Sequence, residues 1–341
     1  MSMEHKYSRF TGIKVARGYG ETFRKALVDL ALIDHERKIR SDDSSVYLPV
    51  LEMDESRALL LRDVGDFELV DIEFPPEKIR PDVQDILGIS PHFDLVGDIA
   101  IVEPDSGLEV GPALIKCYKN IKVVVAPLSA VEGEYRTRRF RHLAGEKRTF
   151  TVHREHGLRY RIDLEKAYFS TRLGTERLRV AEQITPSDVA FDMFAGVGPF
   201  ALLMAKRGAR VVAVEKNPDA AEYLRGNAIL NKLENVEIIE GDSAEIAFSY
   251  ENQADHVVMN LPHSAREFLI PAITSAKSGG VIHYYSISKE SDLYSGDIQL
   301  IEKACRKKGV GFDVVSKKVV RSYAPRQYNI VIDFIAIKGP S

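Results

Sequence analysis

The stretch Asp192-Met193-Phe194-Ala195-Gly196-Val197-Gly198-Pro199-Phe200 decides how this chain is read. Val189–Met193 is an apolar run of strand length, and Phe200–Arg207 has helical spacing, so the two glycines sit on a strand-to-helix turn. Glycine there lets the backbone approach a ligand closely, and the start of the next helix offers free N–H groups. The same rhythm continues outward. Strands are expected at Arg210–Val214, Val236–Ile239, His256–Met259 and Gly280–Tyr285, with helices at Ala220–Asn231 and Ala265–Lys277. Such alternation predicts a mostly parallel sheet covered on both faces. Two further strands, Phe312–Val320 and Tyr328–Ile337, are expected to pair antiparallel at its edge.

Ligands of open α/β sheets bind outside the carboxyl ends of the strands. Polar groups fall at four of those ends in succession. Asp192 closes the first strand, Glu215 the second, Asp242-Ser243 follows the third, and Asn260-Leu261-Pro262 the fourth. A carboxylate about 20 residues beyond the glycine turn suits a ribose diol, and an acid at Asp242 suits an adenine amino group. A lone Gly-x-Gly is weak, whereas four strand ends in order are much stronger. A dinucleotide is the chief rival. The third glycine of its fingerprint is replaced by Ala201, which that fingerprint sometimes tolerates, so the loop by itself does not exclude it. Asp192 and the Asn-Leu-Pro step favour S-adenosylmethionine. Phe194, Gly196, Gly198 and Lys216 complete the expected cofactor-binding set.

The whole chain sets broader bounds. It has 341 residues, enough for two or three domains, with 45% hydrophobic and 28% charged residues and a net charge of −3. No apolar run reaches the ~18 residues of a membrane span, and Met1–Lys6 does not resemble a signal peptide, so a cytoplasmic protein without a membrane partner is expected. Cys117 and Cys305 are far apart and belong to no Cys/His cluster, which argues against a disulfide framework and a structural metal. A nucleic-acid partner would need a local basic patch. Between Arg136 and Arg161, nine Lys/Arg, including Arg138 and Arg139, face two acids, Glu146 and Glu155. Such a run is either a phosphate-binding surface or a solvated basic face.

The region before the alternating part reads as two smaller α/β pieces. The first has a short strand at Ile13–Ala16, helical spacing over Gly18–Ala31, and a strand at Val46–Val50 that Pro49 would place at an edge. Asp71–Pro81 is a linker candidate. The second has strand-like runs at Asp94–Val102, Ile121–Ala126 and Tyr160–Leu164, with partly helical Gly107–Tyr118.

Several motifs together carry a family resemblance. They are Gly133-Glu-Tyr-Arg136, His142-Leu-Ala-Gly-Glu146, Ala167-Tyr-Phe-Ser170, Arg172-Leu-Gly-Thr-Glu-Arg177, Asp192–Phe200, Asn260-Leu-Pro262, Gly280–Tyr285 and Ser322-Tyr-Ala-Pro-Arg326. With them the chain resembles, over essentially its whole length, the archaeal and eukaryotic tRNA (guanine-37-N1)-methyltransferases. The implied fold is α/β: a Rossmann-like class I methyltransferase sheet, mostly parallel with an antiparallel edge strand, in residues 181–341. Two smaller α/β domains precede it, an N-terminal one in residues 1–72 expected at the tRNA elbow, and an RNA-binding middle domain in residues 73–180. The anticodon stem-loop is the expected partner, and the expected state is a monomer with no metal.

The resemblance also implies roles. Glu176 matches the general base that takes the guanine N1 proton, Arg136 the arginine that stabilises O6, and Asn260 the asparagine that orients the base. Arg177 matches a residue near the donor's carboxylate. Tyr168, Pro262, Arg138 and Arg139 are expected at the RNA substrate. Read without the resemblance, Glu176 and Arg177 are most often a surface ion pair and Asn260 a turn residue, while His142 and His283 are structural and His263 has no assigned chemistry. Three alternatives remain open: transfer of the aminocarboxypropyl group in wyosine synthesis, methylation of the tricyclic wyosine intermediate, and a non-catalytic RNA-binding adaptor. Amino-directed base methyltransferases usually carry Asn/Asp-Pro-Pro-aromatic at the fourth strand. Asn260-Leu-Pro-His263 departs from that pattern and favours a ring nitrogen.

Overall fold

The structure is a computed structural model that describes residues 11–53, 55–76, 82–129, 133 and 135–339. Met1–Lys6, the end of the Asp71–Pro81 linker and Glu134 of the Gly133–Arg136 motif lie outside the described residues. The chain forms two compact units, Met1–Asp82 and Val83–Ser341.

The first unit has strand β1 (Gly12–Ala16), helix α1 (Gly20–Asp29), β2 (Arg40–Ser41), β3 (Ser45–Pro49), α2 (Glu55–Arg62) and β4 (Glu68–Val70). Its sheet order is β2-β3-β1-β4. Ile13, Val15 and Leu48 from the sheet pack against Phe23 and Leu27, the apolar stripe of α1, and Leu61 of α2. Burying each of these large side chains contributes about 1.5–3 kcal/mol. Strand β3 is internal rather than at the edge that Pro49 would indicate. The short β2 pairs only with Val46 and Tyr47, so Pro49 lies beyond it and is never asked for its missing N–H.

In the second unit, α3 (Val83–Leu87) precedes β5 (Phe93–Val96), β6 (Ile99–Val102), α4 (Val110–Cys117), β7 (Val123–Pro127) and β8 (Phe140–Gly145). The run Asp94–Val102, expected as one strand, is a hairpin. Gly97 takes φ 59°, which turns the chain back on itself. Strands β6 and β7 are parallel across α4, and β8 returns antiparallel. A two-stranded ribbon follows, β9 (Phe150–Glu155) and β10 (Leu158–Asp163). Its inner face buries Leu158, Tyr160 and Ile162, and its outer face exposes Arg154, Arg159 and Arg161. The basic run is therefore not one patch. Arg148 is pinned to Asp98 at 2.6 Å, Arg141 to the carbonyls of Pro104 and Ser106, and Arg159 to the carbonyl of Leu230.

Helix α5 (Gly174–Ala181) leads into β11 (Val189–Asp192), α6 (Ala201–Lys206), β12 (Arg210–Glu215), α7 (Pro218–Leu230), β13 (Val236–Glu240), α8 (Ser243–Ile246) and β14 (Ala254–Met259). Then come α9 (Leu269–Ser275), β15 (Ala276–Lys289), α10 (Ser295–Lys308), β16 (Gly311–Ala324) and β17 (Gln327–Ile337). The sheet order is β13-β12-β11-β14-β15-β17-β16. Strands β11 to β15 are mutually parallel, and β17 is antiparallel to both β15 and β16. The pattern above gives no helix at Ser295–Lys308. Yet α10 buries Ile301, Ala304 and Cys305 and ends on Gly309 at φ 69° after three basic residues, as a helix stop should.

The boundary expected after residue 180 falls inside the last turn of α5. One apolar cluster runs through Ile99, Val123, Tyr160, Val180, Val211 and Val331, so the ribbon, the β5–β8 sheet and the large sheet share a core. Asn227 of α7 reinforces the join. Its side-chain oxygen accepts from Arg161 N at 2.7 Å, and its amide donates to the carbonyls of Arg161 and Val197.

Candidate active site

A cavity of about 740 Å³ opens over the carboxyl ends of β11 to β14. The glycine turn forms its floor, and its two glycines do different work. Gly196 has φ 55°, and a Cβ there would meet only the Tyr168 carbonyl oxygen at 3.9 Å, leaving an open cradle on the cavity. Gly198 has φ 98°, but a Cβ there would strike Leu224 and Leu202. It is needed for helix packing beneath the cavity and does not line it, which corrects its expected place among ligand contacts. Glu215 steadies the turn: one carboxylate oxygen accepts from Gly196 N at 2.6 Å and the other from Asn217 N at 2.8 Å. Burial raises its carboxyl above the usual range. Asp192 lies directly behind. One of its oxygens accepts from Phe194 N at 3.3 Å, and the other is buried without a partner. Burial pushes this carboxyl up to about 7.

On one side the cavity is bounded by Phe194, which stands edge-on to Phe268 at 4.8 Å, and by Lys216, Asp242 and Ser243. Asp242 caps α8 through Ala244 N at 2.8 Å and receives Lys216 Nζ at 2.9 Å. The Lys216 hydrogen bond lowers its carboxyl pKa. On the other side stand Arg136, Tyr168, Asn260 and Pro262. Arg136 has φ 54°, uncommon for a residue with a side chain, and its guanidinium lies 5.3 Å over the Tyr168 ring. His263 and Tyr323 close this side, with His263 Nε2 3.4 Å from the tyrosine hydroxyl. Arg138 and Arg139 do not reach the cavity. Arg138 lies over Phe140 in a separate groove beside Asp94 and Arg172, and Arg139 is exposed.

Glu176 and Arg177 are buried, not a surface ion pair. Glu176 stands behind the cavity wall. Its carboxylate receives Arg179 at 2.7–3.0 Å and the Tyr285 hydroxyl at 2.6 Å. Arg179 is itself anchored on Asp333 at 2.6 Å. Although burial opposes it, the hydrogen bonds and charges of His283 and Arg179 hold the Asp333 carboxyl well below the usual range. Arg177 does line the cavity, but its fork is taken by Glu155 at 2.7 and 2.6 Å and by the Ser170 carbonyl at 3.0 Å. Its guanidinium also lies over Phe169. Its bidentate partner is thus a carboxylate of the ribbon. Glu155 is brought down to about 2, because its bonds from His153 and Arg177 outweigh its burial.

Sequence reasoning missed three groups here. Arg179 and Asp333 are 154 positions apart, and no local pattern pairs them. Arg321 and Asn329, on β16 and β17, both line the cavity. The signal available for them was the Ser322–Arg326 motif beside them. Asn217, which ties α7 to the Lys166 carbonyl at 2.7 Å, is legible as the Asn-Pro start of a helix.

Comparison with known proteins gives the family. The family model of the TRM5/TYW2 methyltransferase domain matches residues 151–315, that of the tRNA methyltransferase 5 N-terminal domain residues 12–58, and that of the TYW2 N-terminal domain residues 82–149. The tRNA (guanine(37)-N(1))-methyltransferase Trm5b of Pyrococcus abyssi is 42% identical over 336 residues, spanning 94% of this chain and 98% of its own. The chain belongs to the TRM5/TYW2 methyltransferase family. Another family member, aTrm5 solved in complex with tRNALeu, superposes with a TM-score of 0.71 at 36% identity, over 96% of this chain and all of that one. The tRNA(Phe) (4-demethylwyosine(37)-C(7)) aminocarboxypropyltransferase of Methanocaldococcus jannaschii is 32% identical over 71% of this chain and 96% of its own.

The cavity fits S-adenosylmethionine, the methyl donor of this TRM5/TYW2 domain. Gly196 leaves room for close approach, Glu215 stands where a ribose diol needs an acceptor, and Asp242 and Ser243 stand beside the Phe194 ring for an adenine. Asp192, like Gly198, does not line the cavity, and its unpaired oxygen lies buried behind the turn. Among the described residues no helix is long and apolar enough to cross a membrane.

Proposed function

We propose that this chain transfers the methyl group of S-adenosylmethionine to N1 of guanosine 37 in tRNA. The observation that carries the reading is that Arg136, Tyr168, Asn260 and Pro262 share one cavity with the donor cradle at Gly196, Glu215 and Asp242, and that Arg177, the neighbour of Glu176, lines it as well.

Guanine N1 holds a proton at neutral pH, so its lone pair is not free to attack. The donor's sulfonium supplies an activated methyl, and the protein must supply the base. Glu176 takes the N1 proton, and Arg179 and Tyr285 hold its carboxylate in place. Negative charge then develops on O6. Arg136, braced on Tyr168, meets it as a fixed cation. Asn260, whose amide can donate and accept, orients the base edge, and Pro262 stiffens the turn that presents it. Arg177 acts through Ser170 and Glu155 by holding the 168–170 segment against the cavity. The target base must leave its stack to enter. The first unit contacts the tRNA elbow, the second unit the anticodon stem-loop, and the protein works as a monomer.

Two observations favour this over aminocarboxypropyl transfer. The aminocarboxypropyltransferase relative matches almost end to end yet reaches only 71% of this chain. The methyltransferase relative of Pyrococcus abyssi reaches 94% of it, and residues 12–58 fit the tRNA methyltransferase 5 N-terminal domain. The Asn260-Leu-Pro262 step is also intact.

The test is methylation of unmodified tRNA transcripts bearing guanosine or adenosine at position 37, with labelled donor and identification of the nucleoside. Methyl on N1 that vanishes with adenosine is expected. Aminocarboxypropyl product, or no transfer, refutes the reading. Glu176→Gln and Arg136→Ala should each lower the single-turnover rate by about a hundredfold or more while leaving donor affinity within about threefold. Equal losses in rate and donor affinity would remove these roles.

A further inference from the structure

Helix α5 and strand β17 meet through a cluster of three charges. Glu176 and Asp333 are both buried, and the Arg179 guanidinium bridges them. Its Nε and Nη2 donate to Glu176 at 2.7–3.0 Å, while Nη1 and the same Nη2 donate to Asp333 at 2.6 and 3.2 Å. All three nitrogens are used, and one cation is divided between two carboxylates. Buried ion clusters are poor glue, because the cost of taking charges out of water rivals their attraction. Apolar side chains of similar volume would hold α5 to β17 as well. A charge cluster does something that apolar packing does not, since it sets how strongly a carboxylate binds a proton.

Asp333 is held as an ion from several sides. Besides Arg179, it accepts from His283 Nδ1 of β15 at 2.8 Å and from the Ser316 hydroxyl of β16 at 2.9 Å. An ionised carboxylate only accepts, so Nδ1 is a protonated nitrogen of His283. His283 Nε2 meets His256 Nδ1 of β14 at 3.2 Å, and His256 Nε2 stands 3.7 Å from Asp188. Burial, followed by the neighbouring His283, pulls His256 down to about 4, so that ring is neutral near pH 7. The charged and titratable groups around Glu176 are therefore Arg179 on its own helix, Tyr285 and His283 on β15, and Asp333 on β17. Arg177, next along α5, turns its fork away to Glu155.

This arrangement bears on the proton that Glu176 must take. As guanine N1 gains the methyl and the electrons of the C–S bond return to sulfur, the N1 proton passes to the Glu176 carboxylate. A carboxylate that kept the whole of Arg179 would be a weak base, because an undivided cation favours the ionised form. Sharing that cation returns basicity to Glu176, and the negative charge of Asp333 adds to it.

We propose that Asp333 is a positioning residue that sets the strength of Glu176 as a base, by drawing to itself part of the charge and hydrogen bonding of Arg179. This rests on the guanine-N1 reading with Glu176 as the base. Asp333 acts through Arg179, without touching RNA or donor.

The experiment follows the single-turnover rate of methyl transfer to a guanosine-37 tRNA transcript against pH, with full-length protein. The acid limb of that profile reports the base in the bound complex. Asp333→Asn keeps the shape and leaves Arg179 to Glu176, so its acid limb should lie about one pH unit below that of wild type, with a slower plateau. Arg179→Met removes the shared cation, so its limb should lie about one pH unit above. Arg179→Lys, which restores a cation, should bring the limb back toward wild type. A brace that only holds α5 to β17 would lower the rate in both Asp333→Asn and Arg179→Met with the limb unmoved. That result overturns the proposal, as does displacement of both limbs in one direction. Unchanged donor affinity verifies that each variant folds. Should these variants fail to fold, Ser316→Ala on the edge strand β16 still decides. It takes one donor from Asp333, whose charge then weighs more on Arg179, so the limb should rise, and an unmoved limb defeats the proposal. Glu176→Gln separates the two readings. If it removes the rate while the Asp333 and Arg179 variants leave the limb in place, only the role of Asp333 fails. If it keeps both rate and limb, or if no methyl reaches guanosine 37 in wild type, the reading beneath fails as well.

Discussion

Asp192 shows how one residue can be costly to the empty fold and useful to its ligand. Burial pushes its carboxyl up to about 7, against about 3.9 in an unfolded chain. Between those values the folded state holds a proton that the unfolded state has released. Stability therefore falls as pH rises from about 4 to about 7 and levels off above that, with the penalty then fully present. Asp192→Asn avoids the penalty and keeps an oxygen for Phe194 N. It should be more stable than wild type at pH 8 by a few kcal/mol, and nearly equal at pH 4, in denaturant unfolding. A cationic donor favours the ionised aspartate, so wild-type donor affinity should weaken as pH drops below about 7. The asparagine variant should bind more weakly, with no such slope, by calorimetry. An asparagine variant no more stable than wild type at pH 8 would mean that the second oxygen is not stranded.

At the scale of elements, the glycine turn was legible in the sequence, but the division of labour within it was not. Gly198→Ala combines a left-handed backbone with a collision against Leu224 and Leu202. It should cost about 3 kcal/mol of stability. Gly196→Ala keeps only the backbone penalty of about 1 kcal/mol, yet should weaken donor binding at least tenfold, because its methyl enters the cradle. Unfolding curves and donor titrations of the two variants should thus rank in opposite order. The same ranking in both would abolish the distinction. Other elements departed from local pattern for similar reasons. Asp94–Val102 looks like one strand until Gly97 turns it, and β3 accepts Pro49 inside a sheet because β2 is too short to reach it. Helix α10 carries its clearest signal at its end, in Arg306–Gly309, and buries Ile301, Ala304 and Cys305 along one face before it.

At the scale of the whole molecule, each compact unit has its own apolar core. The first is built from residues between Ile13 and Leu69, and the second from residues after Asp82. A protein comprising residues 83–341 should therefore unfold in a single cooperative transition and bind S-adenosylmethionine within about twofold of the full chain. It should lose affinity for full-length tRNA but not for an isolated anticodon stem-loop. Calorimetry and filter binding measure these outcomes. Aggregation, or loss of donor binding, would show that the units do not stand alone.

The sequence alone determined the alternation of strands and helices, the glycine turn, and the succession of Asp192, Glu215, Asp242 and Asn260 at strand ends along the chain. These are local facts: periodicity chooses the element, a glycine permits the turn, and strand ends follow one another along the chain. Tertiary structure decided which groups each side chain meets. It gave the Arg177 fork to Glu155 of the ribbon, clamped Glu176 with Arg179 and Tyr285, and anchored Arg179 on Asp333. It also set Arg321 and Asn329 on the wall of the cavity, with Arg321 Nε and Asn329 Oδ1 left without a hydrogen-bond partner. Such pairings depend on sheet order and register between distant strands, and a charged residue read in its own neighbourhood carries no record of which distant partner will fill its hydrogen bonds.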